Sequence, residues 1–353
     1  MLEMTQLLTK MVEARGSDIY LAAGAPPRMN LEGKLYDLTS EPLSPDDAKQ
    51  IIRQALTDDQ WSLFLDRREL NIAYSLPKMA RFRINVYFQQ GTVASVIRQI
   101  RMKIPDLEAL RLPSLLGNLI LAPRGLLLVT GATGTGKSTT LAAMIDHRAS
   151  QMDGHIVTIE DPIEYVFQHK KSLVTQREVG VDTHSFKEAL KNTLRQAPNV
   201  IFIGELRDAE TVEFALHSAE TGHLVLSTLH STNASQTIER VVNFFPRESH
   251  PQILMQVSYN LKAILSQRLM PSASGSRIPV MEILINTAYV QELIQKGEIG
   301  QLKKVMESGR QEGMQTFDLH LKELIEKGVI SEEKAMKYAD SPSDLRLRLR
   351  GFV

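Results

Sequence analysis

The stretch at residues 126–140 constrains this 353-residue chain more than any other part of its sequence. A short apolar run leads into the pattern Gly131-x4-Gly136-Lys137-Ser138, which is the pattern of a phosphate-binding loop. The glycines allow backbone N–H groups to turn toward a polyphosphate, and the helix that follows adds the positive end of its dipole. The pattern therefore predicts a buried strand, a tight loop and a helix that together bind a nucleoside triphosphate.

We expect the residues of this loop to have different roles in binding the nucleotide. We expect Lys137 to reach the β- and γ-phosphates and the Ser138 hydroxyl to ligate Mg²⁺. The loop predicts a continuous set of nucleotide-binding residues: Gly131, Ala132, Thr133, Gly134, Thr135, Gly136, Lys137, Ser138 and Thr139.

Composition excludes several other classes of protein. Lys plus Arg and Asp plus Glu both number 41, so the zero net charge gives no overall attraction to nucleic acid or to an anionic membrane. Cysteine is absent, which excludes disulfides, thiol catalysis and thiolate zinc sites. No apolar run has the length that spans a bilayer, and the N-terminus lacks a signal-peptide core. We therefore expect a cytosolic protein with no nucleic-acid partner.

Residues 1–100 predict a small α+β domain, because segments of helical spacing are followed by segments of alternating apolar and polar residues. Helices are predicted at residues 3–14 and 48–56, and strands at residues 18–22, 29–38 (as a pair about a turn at 32–33), 81–88 and 92–100. Residues 101–113 contain two prolines and predict a linker.

Residues 114–353 repeat a strand–helix rhythm, which is typical of a parallel sheet covered by helices. Strands are predicted at residues 126–130, 155–159, 200–204 and 224–228, and helices at residues 138–151, 186–195 and 209–221. From about 249 to 340 the pattern predicts a helical C-terminal region. Residues 341–353 form a basic tail in which Arg and Leu alternate, and this pattern is compatible with a frayed solvated tail or with a strand added to a partner's sheet.

Acidic side chains follow the ends of two predicted strands, where the chemistry of a parallel sheet collects. Glu205 ends an apolar run that resembles a Walker B strand, whose terminal acid orients Mg²⁺, usually through water. A second carboxylate is needed to polarise the attacking water, and Glu160, Asp161 and Glu164 supply three candidates. Spacing alone does not choose among them.

Two histidines and three arginines are further candidates. His223 and His230 are separated by a predicted strand, so they can lie at opposite ends of it; each is either a hydrogen-bonded structural residue or a sensor of the γ-phosphate. Arg81, Arg83 and Arg98 lie on strands of the first domain, where they form an ordinary solvated face or act as arginine fingers across a ring interface.

These residues together resemble the type IV pilus retraction ATPases, the PilT-like branch of the secretion ATPase superfamily, over nearly the whole chain. Besides the phosphate loop, the segments that carry the resemblance are 17–21 (Ser-Asp-Ile-Tyr-Leu), 81–85 (Arg-Phe-Arg-Ile-Asn), 158–164 (Thr-Ile-Glu-Asp-Pro-Ile-Glu), 204–208 (Gly-Glu-Leu-Arg-Asp), 221–225 (Thr-Gly-His-Leu-Val), 228–230 (Thr-Leu-His) and 313–316 (Gly-Met-Gln-Thr).

The resemblance implies a fold and a set of roles. The fold is an α/β fold with a PAS-like α+β N-terminal domain at 1–100, a linker at 101–113 and a RecA-like P-loop ATPase domain at 114–353. Glu164 would be the catalytic base as the last acid of the family's Asp box. Glu205 would be the Walker B acid, and His223 and His230 would form the His box. The implied residues that contact ATP in addition to the phosphate loop are Arg81, Arg83 and Arg98.

The resemblance also implies an assembly and a place in the cell. The family forms homo-hexameric rings that hydrolyse ATP with Mg²⁺ and act on the inner-membrane platform protein at the pilus base, where retraction drives twitching motility. One segment departs from the retraction motors. Residues 288–296 (Ala-Tyr-Val-Gln-Glu-Leu-Ile-Gln-Lys) lack both arginines of the motif usual at this place. This departure and the basic tail are similar to PilU, the accessory branch, and imply co-operation with a PilT-type motor.

Three other functions compete with an accessory retraction motor. An assembly or secretion ATPase typically has a longer N-terminal region and often a four-cysteine zinc site, and neither is present here. An ATP-binding ring module would brace a partner motor and show little turnover. A nucleic-acid translocase is disfavoured by the neutral charge.

Overall fold

The computed structural model describes residues 2–31, 33–77, 79–100, 103–272 and 275–351. Residue 32 of a predicted turn, residues 101–102 of the predicted linker and residues 352–353 of the predicted tail lie outside the described residues. Contacts divide the chain into two compact units, Met1–Lys103 with Ile163–Val166, and Ile104–Pro162 with Phe167–Val353. The domain boundaries drawn from sequence stay a prediction, since compactness alone does not define a folding domain.

The N-terminal unit is a six-stranded antiparallel sheet with three helices. Its elements are α1 (Met4–Glu13), β1 (Asp18–Leu21), β2 (Arg28–Leu31), β3 (Lys34–Asp37), α2 (Pro45–Arg53), α3 (Asp58–Arg67), β4 (Glu69–Leu76), β5 (Ala80–Gln89) and β6 (Thr92–Ile100). The strand order is β3-β2-β1-β6-β5-β4.

Alternation along β5 explains the two faces of this sheet. Phe82, Ile84 and Val86 are fully buried in a core that also contains residues of all three helices. The intervening residues, among them Arg81 and Arg83, lie on the opposite face, as the period of two requires. The α+β fold predicted for this part of the chain is confirmed, although α3 and β4 were not predicted.

The second unit is a seven-stranded, mainly parallel sheet covered by helices. Its first elements are α4 (Leu115–Ile120), β7 (Gly125–Thr130), α5 (Lys137–Gln151), β8 (Gly154–Glu160), β9 (Ser172–Glu178), α6 (Phe186–Thr193), β10 (Val200–Ile203), α7 (Ala209–Glu220), β11 (Leu224–Leu229), α8 (Ala234–Asn243) and α9 (His250–Asn260). They are followed by β12 (Leu261–Pro271), β13 (Arg277–Ile285), α10 (Ala288–Gln295), α11 (Leu302–Ser308), α12 (Phe317–Glu326), α13 (Glu332–Met336) and α14 (Pro342–Leu349).

The strand order of this sheet is β13-β12-β7-β11-β10-β8-β9, and all neighbours are parallel except β12 and β13. Every residue of β7, β10 and β11 is buried, which is the pattern of a parallel sheet covered on both faces. The parallel strands β7, β8, β10 and β11 end at one edge of the sheet, called the carboxyl edge below. The predicted α/β class and its four parallel strands are confirmed.

The mostly helical region predicted from about 249 to 340 is confirmed, but it also contains the antiparallel pair β12 and β13, which was not predicted. Both strands are buried along most of their length, so apolar residues occupy consecutive positions and the sequences show no regular alternation. Such a run does not distinguish a strand from a buried helix.

The two alternatives for the basic tail are also wrong, because residues 342–349 form helix α14. The Ser341 hydroxyl caps its first turn by accepting from the Asp344 N–H at 3.4 Å. Leu345 is fully buried, and Leu349, one helical turn later, packs against the same cluster with Phe317 and Leu321. The Arg–Leu alternation suggested a strand, but a spacing of four places these two leucines on one helical face.

Candidate nucleotide site

The phosphate loop joins the end of β7 to the start of α5 at the carboxyl edge, as predicted. Gly131 has φ 148° and Gly136 has φ 90°, a region that favours glycine. A Cβ atom on Gly131 would lie 2.4 Å from the Gln267 carbonyl oxygen, and one on Gly136 would lie 2.9 Å from Gln267 Nε2. The close approach of the β12 backbone therefore requires glycine at 131, and the positive φ favours it at 136.

Lys137 is the first residue of α5 and points back across the loop. Its Nζ donates to the carbonyl oxygens of Gly131 at 2.9 Å and Ala132 at 3.0 Å, and it lies 3.4 Å from His230 Nδ1. The side chain is buried, with 8% of its surface exposed. This geometry holds the ammonium group at the concave side of the loop, where a phosphate would accept from it.

His230 lies between this lysine and Glu205, the predicted Walker B acid. Its Nε2 lies 3.2 Å from Glu205 Oε1, while its Nδ1 faces Lys137. An ammonium group can only donate, so Nδ1 must act as the acceptor and the imidazole proton lies on Nε2, where it can be donated to Glu205. Lys137, His230 and Glu205 thus form one chain of close polar contacts that joins three neighbouring strand ends.

Arg207 extends this chain on the other side of Glu205. Arg207 Nε donates to Glu205 Oε2 at 2.8 Å, and its NH1 donates to Asp161 Oδ2 at 3.2 Å. The hydrogen bond to Glu205 raises the pKa of the Arg207 guanidinium. The carboxylate of Glu205 is therefore fixed between a cation and a histidine, and four-fifths of its side-chain surface is covered.

The loop that contains His230 is anchored from both sides. Arg240 NH1 donates to the His230 carbonyl oxygen at 3.0 Å. Thr228 Oγ1 donates to the Gly204 carbonyl oxygen at 2.7 Å, which ties the end of β11 to the residue before Glu205. These bonds restrict the relative movement of the two groups that meet at the carboxyl edge.

Gln267 is a residue of this site that the sequence reasoning missed. Its Nε2 donates to the Thr135 carbonyl oxygen at 2.8 Å, and its Oε1 accepts from Thr140 Oγ1 at 2.7 Å, so one buried side chain holds both the loop and the first turns of α5. The available signal was the polar stretch Ser266-Gln267-Arg268 between apolar residues, but the strand itself was not predicted.

Ser138 and Glu205 supply the oxygen ligands that a Mg²⁺ ion prefers, a hydroxyl and a carboxylate. Ser138 lies in the first turn of α5 and is partly exposed, and Glu205 follows β10 at the same edge of the sheet. The donor set therefore fits the predicted metal.

The three candidate acids after β8 have different surroundings. Glu160 is buried, and its Oε1 accepts from Thr158 Oγ1 at 2.6 Å and from Gln176 Nε2 at 3.2 Å. Asp161 is exposed and pairs with Arg207. Glu164 is exposed and belongs to the short segment that groups with the N-terminal unit.

His223 does not join the group at the carboxyl edge. It precedes β11, whereas His230 follows it, and the six residues between them span about 20 Å at the rise of an extended strand. His223 Nδ1 lies 3.0 Å from the Ser218 carbonyl oxygen and 3.3 Å from Thr221 Oγ1, at the end of α7. The structure thus separates the two histidines of the predicted His box within one chain.

Arg81, Arg83 and Arg98 lie on β5 and β6 of the N-terminal sheet. Arg83 and Arg98 are directly opposite each other, and Arg98 Nε donates to the buried Asp18 Oδ1 at 2.7 Å. They form a positively charged group on the sheet face opposite the core of this unit.

Several known proteins are similar to this chain in sequence and fold. The family described as "Type II/IV secretion system protein" matches residues 58–276. The chain is 48% identical to the type IV pilus ATPase PilU of Pseudomonas aeruginosa, over 99% of this chain and 92% of PilU. It is 40% identical to the pilus retraction ATPase PilT of the same organism, over 97% of this chain and the whole of PilT. A crystal structure of the retraction motor PilT with bound ADP superposes with a TM-score of 0.91 at 40% identity, covering 98% of this chain and 99% of that one.

The fold and the phosphate loop define a P-loop ATPase of the type II/IV secretion class. Within that class, the chain belongs to the PilT/PilU family of ATPases related to type IV pilus retraction. Within the described ranges, none of the helices has the length and apolar character needed to cross a membrane.

Proposed function

We propose that this chain hydrolyses ATP at the carboxyl edge as one subunit of a homo-hexameric ring, and that the ring assists type IV pilus retraction together with a PilT-type motor. The observation that carries the proposal is the chain of contacts from Lys137 through His230 to Glu205. It brings a phosphate-binding cation close to the acid that follows β10, and P-loop enzymes that transfer a phosphoryl group to water use both of these groups.

Ser138 and Glu205 would hold Mg²⁺ in this proposal, the latter through water. The ion would supply positive charge to the phosphate oxygens when bound. Lys137 and the backbone N–H groups of 131–139 bind and orient the polyphosphate. The bonds from Gln267 keep the loop in the shape that this binding needs.

Glu164 is the proposed general base for the attacking water. Glu160 is buried and accepts hydrogen bonds from two neutral side chains, and Asp161 is paired with Arg207. Glu164 is exposed. Its carboxylate is therefore more accessible to water than that of Glu160, and the family resemblance assigns it this role.

Arg81, Arg83 and Arg98 are proposed to neutralise charge on nucleotide bound by another subunit of the ring. Two arginines placed directly opposite each other on neighbouring strands repel and destabilise the sheet. Asp18 offsets the charge of Arg98, while an anionic ligand would offset that of Arg83.

The accessory role rests on the similarity to PilU and on residues 288–296. This segment forms helix α10, in which Tyr289 is half exposed and both arginines usual in the retraction motors are absent. The proposed partners are further copies of this chain, a PilT-type motor and the inner-membrane platform protein. The proposed location is the cytoplasmic side of the pilus base.

ATP turnover by the wild-type protein and Glu164→Gln, measured across a ring-forming range of concentration, tests the hydrolysis. We expect wild-type turnover to rise with assembly and the variant to lose about 10²-fold while still binding ATP. Glu41→Gln, an exposed acid of the same unit, is the matched control and should retain full turnover.

Each other outcome has a defined meaning. Full turnover by Glu164→Gln would show that the general base is Glu160 or Asp161 instead. ATP binding without turnover in intact wild-type rings would contradict the motor proposal and favour an ATP-binding ring module.

The accessory role is tested separately by sedimentation of this protein mixed with a purified PilT-type motor. The absence of any mixed complex would contradict the accessory role.

A further inference from the structure

A buried acid, Glu282, lies outside the set of residues discussed above. It is on β13, and only 2% of its surface is exposed. Burial raises its pKa to about 7, and the nearby Asp340 carboxylate adds to that shift. Burying a carboxyl group costs free energy unless hydrogen bonds within the protein replace those that it made to water.

Glu282 accepts two hydrogen bonds through the same oxygen. The Ala234 N–H, the first of helix α8, donates to Oε1 at 2.7 Å, and Ser266 Oγ donates to it at 3.4 Å. Ser266 Oγ in turn accepts from Thr130 Oγ1 at 3.1 Å. Thr130 is the last residue of β7, immediately before the phosphate loop. A buried chain of polar groups therefore runs from the phosphate-loop strand, across β12 and β13, to the N-terminus of α8.

Helix α8 is the element that holds the His230 loop. Arg240 on α8 donates to the His230 carbonyl oxygen, and Ser231 Oγ lies 2.6 Å from Thr237 Oγ1 on the same helix. Asn233 caps the helix by accepting from the Gln236 N–H at 2.9 Å. The position of α8 thus sets the position of His230, and Glu282 binds the helix at its first residue.

We propose that Glu282 is a positioning residue that holds helix α8, and through it His230, in fixed register with the phosphate loop. It touches neither phosphate nor metal in this proposal. Its effect on hydrolysis is indirect, through the contacts of His230 with Lys137 and Glu205. The inference rests on the proposed part of His230 in hydrolysis.

The substitutions Glu282→Met and Glu282→Gln separate the hydrogen bonds from the packing. Methionine has a similar volume but cannot accept from the Ala234 N–H, whereas glutamine keeps the Oε1 acceptor. We expect Glu282→Met to lower kcat for ATP about 10-fold, with the ADP affinity unchanged within about 3-fold because the phosphate loop keeps its own contacts. Glu282→Gln should restore kcat to within about 2-fold of the wild type.

A double-mutant cycle with His230→Ala shows whether Glu282 acts through His230. In the His230→Ala background, Glu282→Met should lower kcat no further. An additional 10-fold loss in that background would overturn the proposal. If His230→Ala alone leaves kcat unchanged, His230 has no role in hydrolysis, and it is the proposed function that is contradicted at this residue. The two failures are therefore distinguishable.

Asp318→Leu is the control for loss of stability alone. Asp318 is a buried acid of the same unit that accepts from the N–H groups of Asp340 and Ser341, far along the chain from the His230 loop. It should lower the thermal unfolding midpoint without lowering kcat. If Glu282→Met does not fold, Ser266→Ala, which interrupts the same chain, takes its place in the cycle, and additivity with His230→Ala would again overturn the proposal.

Discussion

The two histidines at the ends of β11 have similar sequence surroundings but very different structural ones. His230 lies between an ammonium group and a carboxylate at the carboxyl edge. His223 contacts a backbone carbonyl group and a threonine hydroxyl at the end of α7. The first environment contains the charged groups that we propose for phosphoryl transfer, and the second is formed by the last residues of a helix.

This difference shows what a strand contributes to a site. Residues that are close in sequence are carried about 20 Å apart when a fully extended strand lies between them. Conversely, residues 93 apart, Lys137 and His230, meet because parallel strands end at the same edge. Shared membership of a sequence motif therefore does not place two side chains in one site.

The largest effect is expected from Lys137→Ala, which removes the cation at the His230 end of β11. Nucleotide binding should fall by at least about 10²-fold, because the charge opposite the β- and γ-phosphates is lost. Titration with a fluorescent ADP analogue measures this. Lys262→Ala, an exposed lysine near the start of β12, is the control and should bind normally. Unchanged affinity in Lys137→Ala would show that the nucleotide does not bind at the carboxyl edge.

A smaller loss of binding is expected from Gln267→Leu. Two hydrogen bonds to the loop and α5 disappear, and each is worth about 1 kcal/mol. We expect the ADP affinity to fall about 10-fold. Thr140→Val, which removes only one of these bonds, should fall less. A lower unfolding temperature with normal ADP affinity would show that Gln267 supports the fold and not the loop.

The smallest effect on turnover is expected far from β11, at the C-terminal helix. Leu345→Ala removes a fully buried side chain of α14 and should destabilise its unit by about 2–4 kcal/mol. Turnover at 25 °C should stay within about 2-fold of the wild type. Leu347→Ala, whose side chain is 43% exposed, is the control for stability. Loss of turnover in Leu345→Ala would mean that α14 contributes to the nucleotide site.

Much of the fold and part of the site could be predicted from sequence. The strands β7, β8, β10 and β11 end in chemically distinctive groups, and their apolar runs have the length of buried parallel strands. The phosphate loop has fixed spacing, so the positions of Lys137 and Ser138 in it follow from the order of the residues alone. Glu205 follows from the strand that precedes it.

Other features depend on tertiary contacts that leave little local signal. The pair β12 and β13 is buried on both faces, and its spacing does not reveal a strand. Gln267 and Glu282 therefore could not be assigned to the site, since each acts through a neighbour distant in sequence. The tail shows the converse problem, because its alternation suggested a strand while the burial of Leu345 favours a helix.

Single-turnover ATP hydrolysis by His230→Ala and His223→Ala tests the comparison of the two ends of β11 most directly. Protein should be in excess over ATP, and the assembly state of each variant should be matched to the wild type. We expect His230→Ala to slow hydrolysis by about 10-fold or more, because the imidazole that lies between Lys137 and Glu205 is lost. His223→Ala should stay within about 3-fold of the wild type. A loss in His223→Ala equal to or greater than that in His230→Ala, with assembly intact, would contradict the assignment of hydrolysis to the Lys137–His230–Glu205 chain.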